Sequence, residues 1–195
     1  MRKLLFLVLI CLILNSNALI FAANTNQLKD DGIMLYSMNK INEAKEILTQ
    51  IPKENRDSEV LLLLSNIEQD LQNIEETEKL LNEAIQKNPK FYKAYYNLGN
   101  IYFNRGQIQD AMKNYKLAAK YNRKNSYIYT NIGCCYLAQK NLTMAKINFN
   151  KATTLNPQNP TNYYNLAYIY KEKGNTKKAE ELLKIYNTLM QNKVN

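Results

Sequence analysis

The sequence predicts an all-α fold, a right-handed α-solenoid of about five helix pairs in which the first two pairs are degenerate. Segments that begin at Tyr95, Tyr129 and Tyr163 align with one another at one constant spacing, about 34 residues. Within each segment the apolar residues recur at helical spacing, and a tight turn separates two short helices, A and B. Since one such pair cannot bury its apolar face alone, neighbouring pairs are expected to stack into a continuous core.

The first strong segment shows what each position does. Its helix A has one apolar face, formed by Tyr95, Leu98, Ile101 and Tyr102. Gly99 lies within that face, which predicts that helix B crosses close to it, and Gly106 is expected to end helix A as a left-handed cap. Helix B then presents a large ring between two small residues, in the order Ala111, Tyr115 and Ala118.

The next two segments repeat this arrangement. The second has Ile132, Gly133, Tyr136, Ala145, Phe149 and Ala152 at the same places, and the third has Leu166, Ala167, Tyr170, Gly174, Ala179 and Leu183. Pro157 is expected to stop helix B of the second segment, because proline cannot continue a helix. The same two-helix unit is therefore predicted three times.

These residues resemble the tetratricopeptide repeat family, whose helix A reads W-x2-L-G-x2-Y and whose helix B continues with A, F, A and P at fixed offsets. Tyrosine replaces the first tryptophan in the three strong copies, and Arg123 stands at one of the proline positions. The resemblance implies strong repeats over 92–125, 126–159 and 160–193. It also implies a weak repeat over 58–91, in which Glu68 and Thr77 depart from the pattern, and a degenerate one over 25–57 that is one residue short.

The first 22 residues are predicted to be a signal peptide. Arg2 and Lys3 precede an apolar run of eleven residues, Leu4 to Leu14, whereas a membrane span needs about 20. Cleavage is expected after residue 18, 22 or 23. The alternative is an uncleaved anchor over residues 4–22, because the segment ALIFA prolongs the apolar run. Either way the folded part lies outside the cytosol, as a periplasmic, envelope-associated or secreted protein or one anchored to the membrane.

Charge is distributed unevenly along the chain. Without the leader the formal net charge falls from +9 to about +7, and residues 23–90 carry −5 whereas residues 91–195 carry +12. Basic residues of the second half, such as Lys146, Lys151 and Lys178, fall on helix B or in turns, which places them on the solvated side. An acidic protein partner or an anionic envelope surface is therefore favoured. Nucleic acid is not expected as a partner of an exported protein.

Composition argues against catalysis. The chain has no histidine, so the most frequent general base and metal ligand is missing. No G-x-S-x-G motif and no glycine-rich phosphate loop occur among the five glycines. We therefore expect no enzyme activity, no metal and no other cofactor.

The resemblance implies that a partner's extended peptide or helix binds in a groove lined by helix A, at six positions of each repeat. The repeat over 92–125 supplies Lys93, Tyr96, Asn97, Asn100, Phe103 and Asn104. The next supplies Tyr127, Thr130, Asn131, Cys134, Leu137 and Ala138, and the last supplies Thr161, Tyr164, Asn165, Tyr168, Lys171 and Glu172. The predicted groove therefore consists mainly of asparagine and tyrosine.

Two interpretations of the asparagines stay open. Asn97, Asn131 and Asn165 recur at the same position of successive repeats, so their amides could form a row that holds a peptide backbone. Alternatively, each amide bonds to a neighbouring helix and is only structural. Of the tyrosines, six occupy core positions of the repeat, namely Tyr95, Tyr102, Tyr129, Tyr136, Tyr163 and Tyr170. Tyr96, Tyr127, Tyr164 and Tyr168 are expected to point into the groove as anchors.

The adjacent Cys134 and Cys135 are not expected to form a disulfide. Neighbouring Cα atoms lie about 3.8 Å apart, whereas a disulfide usually needs at least about 4.4 Å, and a helix turns successive side chains apart. Cys135 is expected to fill a small buried slot and Cys134 to face the groove. Mild alkylation should then label Cys134 and spare Cys135.

Two functions fit these features. The first is an exported scaffold that docks a partner's extended segment in the groove for envelope assembly or secretion. The second is a membrane-anchored structural protein that self-associates through its last helix, at Leu189 and Met190. Tyr186 stands where a small residue would admit a following repeat, so these last apolar residues either fold back or stay available to a second copy.

Overall fold

The structure is a computed structural model that describes residues 24–192, so the predicted leader over residues 1–22 lies outside it. Between residues 24 and 192 the chain forms ten α-helices and one short 3-10 helix, with no strand. No helix in this range has the length and apolar character needed to cross a membrane. The predicted all-α fold of helix pairs is confirmed. The chain divides into two compact bodies, here called the N-terminal body (residues 24–89) and the C-terminal body (residues 90–192).

The N-terminal body holds two helix pairs. Its elements are α1 over residues 24–37, α2 Ile41–Thr49, a 3-10 turn Lys53–Asn55, α3 Ser58–Asp70 and α4 Ile74–Lys87. Asp57 begins α3, because its carboxylate accepts hydrogen bonds from the backbone N–H groups of Glu59 and Val60. The core that joins α2 to α3 and α3 to α4 is leucine-rich and includes Leu48, Leu61, Leu64 and Leu81.

The C-terminal body holds three helix pairs. Its helices are α5 Tyr92–Asn104, α6 Ile108–Tyr121, α7 Ser126–Ala138, α8 Leu142–Leu155, α9 Pro160–Glu172 and α10 Thr176–Gln191. Each helix A packs on its own helix B, and α6 also packs on α7 as α8 does on α9. The last four of these helices are capped by asparagine side chains, each of which accepts a hydrogen bond from a backbone N–H group of the first turn. The four capping residues are Asn125, Asn141, Asn159 and Asn175.

Glycines within helix A let an aromatic ring of helix B lie against the backbone. A Cβ placed on Gly99 would lie 2.5 Å from the ring of Tyr115, and one on Gly133 would lie 2.6 Å from the ring of Phe149. Real Cβ atoms essentially never approach other atoms so closely. The prediction that helix B crosses close to Gly99 is therefore confirmed.

Each turn between helix A and helix B contains one residue with positive φ. Gly106 and Gly174 have φ angles of 75° and 76°, which confirms the left-handed cap predicted at Gly106. The equivalent residues Asn39, Gln72 and Lys140 have φ angles of 60°, 62° and 58°. These three turns therefore hold a residue with a Cβ in a conformation that favours glycine.

The six predicted core tyrosines are less buried than expected. Tyr129 is buried, whereas Tyr95, Tyr102, Tyr136, Tyr163 and Tyr170 are half-buried. A tyrosine ring can pack on apolar neighbours while its hydroxyl stays close to water. Lysines of α8 cover two of the rings, because Lys151 Nζ lies 3.9 Å from the ring centroid of Tyr129 and Lys146 Nζ lies 4.9 Å from that of Tyr170.

Near its C-terminal end, α10 contacts α9 through a pair of aromatic rings. Tyr186 of α10 lies against Tyr164 of α9, with ring centroids 5.5 Å apart. Tyr186 occupies the place that Ala118 and Ala152 hold in the preceding repeats. Leu189 is half-buried, whereas Met190 keeps 40% of its surface exposed.

Candidate functional site

The A helices of the C-terminal body lie side by side and are joined by neutral polar side chains. Asn131 Nδ2 of α7 donates to Asn100 Oδ1 of α5 at 2.9 Å. Thr130 Oγ1 of α7 donates to Asn162 Oδ1 of α9 at 2.7 Å. Helices α5, α7 and α9 therefore form one continuous surface, which we call the A surface.

A hydrogen-bond network is centred on Asn100. The ring of Tyr115 passes over Gly99, and its hydroxyl donates to Asn100 Oδ1 at 2.8 Å. The Tyr96 hydroxyl also reaches the amides of Asn131 and Asn100. Burial raises the pKa of Tyr96, and the two amide contacts offset only part of that rise. Burial also raises the pKa of Tyr115, so both tyrosine hydroxyls stay neutral at physiological pH. Asn100 Oδ1 accepts from both Tyr115 and Asn131, and these two contacts use both of its lone pairs.

Three of the four predicted groove tyrosines are exposed. Tyr127, Tyr164 and Tyr168 keep 54%, 53% and 48% of their surface exposed, on α7 and α9. Tyr96 is half-buried and leans on the ring of Tyr115, with centroids 6.0 Å apart. The A surface therefore presents solvent-facing rings on α7 and α9, and α7 also carries Asn131 of the amide network.

The other predicted groove residues differ in burial. Asn97, Phe103 and Asn165 are half-buried, and Lys93 is exposed. The prediction that Thr130 lines the groove is wrong, because this residue is only 6% exposed and its hydroxyl is taken up by Asn162. The short threonine side chain fits between α7 and α9, whereas the longer side chains of Tyr96 and Tyr164 stand at the equivalent positions of α5 and α9.

In the predicted row of Asn97, Asn131 and Asn165, at least one amide forms a hydrogen bond within the protein. Asn131 is bonded to Asn100 on the adjacent helix, which is the arrangement that the structural alternative expects for it. Asn97 and Asn165 lie at equivalent places on α5 and α9. That the three amides hold a peptide together stays a prediction.

The two cysteines occupy different environments. Cys135 is fully buried in the cluster that contains Tyr115 and Ile132, and Cys134 is half-buried against the next cluster. Burial raises the pKa of Cys134, and burial together with the adjacent Cys134 raises the pKa of Cys135 to about 12. Both thiols are therefore protonated at neutral pH. Within residues 24–192 no three His, Cys, Asp or Glu side chains come together as candidate metal ligands.

Sequence reasoning placed Tyr115 in the core and missed its polar role. The signal was the interval between Gly99 and Tyr115, which is equal to the interval between Gly133 and Phe149. Because the ring lies over Gly99, a tyrosine at this position brings its hydroxyl within hydrogen-bond distance of Asn100. A phenylalanine, such as Phe149 over Gly133, has no hydroxyl to place there. Asn162 was missed because the equivalent residues Ala94 and Ile128 are apolar.

Comparisons with known proteins agree with this geometry. Models described as tetratricopeptide repeat match residues 80–113, 126–159 and 148–181, and one described as TPR repeat matches residues 99–140. Together they span residues 80–181, which is more than half of the chain.

Solved structures show the same fold at low sequence identity. MamA AMB-1 is 20% identical with a TM-score of 0.68, over 87% of this chain and 93% of that one. MamA 41-end from Desulfovibrio magneticus RS-1 is 16% identical with a TM-score of 0.74, over 87% and 96%. Pseudomonas aeruginosa PilF is 15% identical with a TM-score of 0.78, over 86% and 77%. The chain belongs to the tetratricopeptide repeat family.

Proposed function

We propose that this protein is an exported scaffold that binds an extended peptide or a helix of a partner protein along the A surface, in cell-envelope assembly or secretion. The observation that carries the proposal is that the A surface combines exposed rings on α7 and α9, those of Tyr127, Tyr164 and Tyr168, with the half-buried amides of Asn100 on α5 and Asn131 on α7. Rigid amphipathic rings make good anchors, because they bury large areas at a low cost in conformational entropy. No catalytic role is proposed for these residues.

Export is supported by the leader-like sequence before residue 23. The positive charge of the C-terminal body indicates which of its surfaces an acidic partner would contact. Eight lysines of this body lie on α6, α8 and α10, the B helices: Lys113, Lys116, Lys120, Lys146, Lys151, Lys177, Lys178 and Lys184. An acidic partner or an anionic envelope surface would therefore meet the B helices and not the A surface.

The proposal is tested by crosslinked pull-down from the native envelope with the full chain. Tyr127→Ala combined with Tyr168→Ala removes two exposed rings, and we expect recovery of the specific partner to fall at least about tenfold. The matched control is Ile147→Ala combined with Leu155→Ala, which removes exposed apolar residues, at 53% and 37%, from the B helix α8. Equal recovery with both double variants would refute binding on the A surface.

A second candidate is self-association through the last helix. It is favoured by the exposure of Ile185 and Met190 on α10, at 42% and 40%. Light scattering on the purified protein over a wide concentration range would show a rise in mean mass that Met190→Asp abolishes. A mass that stays monomeric at every concentration would reject it.

A further inference from the structure

Charge in the C-terminal body is separated from the A surface. Residues 90–192 contain sixteen Lys and Arg against four Asp and Glu, a formal charge of +12. Helix α7, which lies between α5 and α9, has no charged residue at all. On the outer A helices the charged residues are Lys93 in the first turn of α5 and Lys171 with Glu172 in the last turn of α9. In a body this basic, the middle of the A surface is neutral.

The groups that line this neutral part have no charge to offer a ligand. Asn100 and Asn131 are amides, and burial raises the pKa of Tyr96 and of the Cys134 thiol, so both stay protonated. A carboxylate or an ammonium group that entered here would lose hydration without meeting an opposite charge, which is costly. Amides and hydroxyls can instead bond to peptide groups, and the exposed rings of Tyr127 and Tyr168 can cover apolar side chains.

We propose that the A surface of the C-terminal body selects a segment that carries no charged side chain over the stretch facing α7, and that the lysines of the B helices take no part in holding it. The inference rests on the proposed function and adds the chemical class of its ligand. Recognition then depends on ring contacts and on amide bonds to the peptide backbone, and it is insensitive to salt because screening acts only on charges.

The test is a selection from a random library of displayed peptides on the immobilised full chain. Each recovered peptide is measured again on the Tyr127→Ala/Tyr168→Ala variant, and those that lose at least about tenfold in affinity are defined as A-surface ligands. We expect these ligands to be depleted in Asp, Glu, Lys and Arg relative to the library. We also expect their Kd to change by less than about twofold between low and high sodium chloride.

One further variant and the properties of the selected peptides separate the possible outcomes. Lys113→Ala combined with Lys116→Ala removes charge from α6 and should leave the affinity of A-surface ligands unchanged. A-surface ligands that are rich in acidic residues, or that weaken about tenfold in high salt, would overturn the inference while leaving the proposed function standing. If no recovered peptide depends on Tyr127 and Tyr168, the proposed function fails, and the inference fails with it.

Discussion

Neighbouring A helices are joined by charged side chains in the N-terminal body and by neutral polar side chains in the C-terminal body. In the N-terminal body Lys29 Nζ lies 2.9 Å from carboxylates of both Asp57 and Glu59, and the Tyr36 hydroxyl donates to Asp70 at 2.8 Å. In the C-terminal body the equivalent contacts are neutral, between Asn131 and Asn100 and between Thr130 and Asn162. One repeat geometry thus supports two kinds of surface.

The difference bears on which body can bind a partner. Burial, the hydrogen bond to Asp70 and the charge of Asp70 raise the pKa of Tyr36 to about 12, so this hydroxyl is committed to its carboxylate. Paired charges satisfy one another, and a ligand would have to break them. In the C-terminal body Asn100 bonds only to neutral groups in the contacts described above, the amide of Asn131 and the hydroxyl of Tyr115, so a ligand that binds there meets no ion pair that it must break. This difference is why the proposed function assigns binding to the C-terminal body.

The largest predicted effect concerns the glycines under helix B. In Gly133→Ala the new Cβ would lie 2.6 Å from the rigid ring of Phe149, which is fully buried and cannot move aside without disturbing the core. We expect a loss of about 3 kcal/mol in the free energy of unfolding. Urea denaturation gives the total, and hydrogen exchange should show that α7 and α8 lose protection first.

Gly32→Ala is the matched control in the N-terminal body. Its Cβ would lie 2.5 Å from both Cγ and Cδ2 of Leu48, which is as fully buried as Phe149, but a leucine can change rotamer more readily than an aromatic ring. We expect a loss of only about 1 kcal/mol. A larger loss for Gly32→Ala than for Gly133→Ala would contradict the view that the ring makes the C-terminal crossing the tighter one.

The second prediction concerns the buried carboxylate of the N-terminal body. Glu68 is 5% exposed, pairs with Lys45 at 2.8 Å and accepts a hydrogen bond from Asn73 Nδ2 at 2.8 Å. Glu68→Ala leaves both partners unpaired and should cost about 2 kcal/mol at neutral pH. At the equivalent places the C-terminal body has Met112 with Tyr136, so Lys45→Met combined with Glu68→Tyr should recover most of this loss.

The same carboxylate gives a pH dependence of known sign. Burial alone would raise the pKa of Glu68, but the hydrogen bonds from Lys45 and Asn73 outweigh it and leave the pKa below its usual 4.5. The stability that Glu68 adds is therefore complete above pH 4.5 and is lost as the pH falls through the lowered value. Unfolding curves of the native chain and of Glu68→Gln should converge in acid. Curves that stay parallel from neutral to acid pH would contradict this assignment.

The sequence predicted the fold because periodicity reports which residues are equivalent. The glycines at 99, 106 and 133 and the stacked helix pairs all followed from the constant spacing of the repeats. Periodicity does not show which side chains bond to one another. The hydrogen bond from Asn131 to Asn100, for example, joins residues 31 positions apart and depends on how α5 crosses α7. Recurrence is also ambiguous for asparagine, because Asn141 and Asn175 recur at the same spacing only to cap helices.

The third prediction concerns the buried amide of Asn162, which joins α9 to α7 through Thr130. Asn162 is fully buried, and its Nδ2 has no hydrogen-bond partner within the described part of the chain. Asn162→Leu has a similar volume and removes an unsatisfied donor, so we expect a gain of about 1 kcal/mol. Thr130 keeps its contact with the Ser126 carbonyl at 3.2 Å. A loss of stability would mean that the bond between Thr130 and Asn162 outweighs the unpaired amide hydrogens.

The smallest predicted effect concerns the left-handed turns between helix A and helix B, in which the two bodies should behave alike. Gln72 and Lys140 hold equivalent left-handed turns, with φ of 62° and 58°, one in each body. Gln72→Gly and Lys140→Gly remove the clash of a Cβ with the backbone, and each should raise the free energy of unfolding by about 0.5 kcal/mol after the entropy cost of glycine. Gly106→Ala, in the same turn of another repeat, should lower it by about 1 kcal/mol. Thermal and urea unfolding measure all three, and a gain at only one of the two turns would show that the bodies differ in backbone strain as well as in surface chemistry.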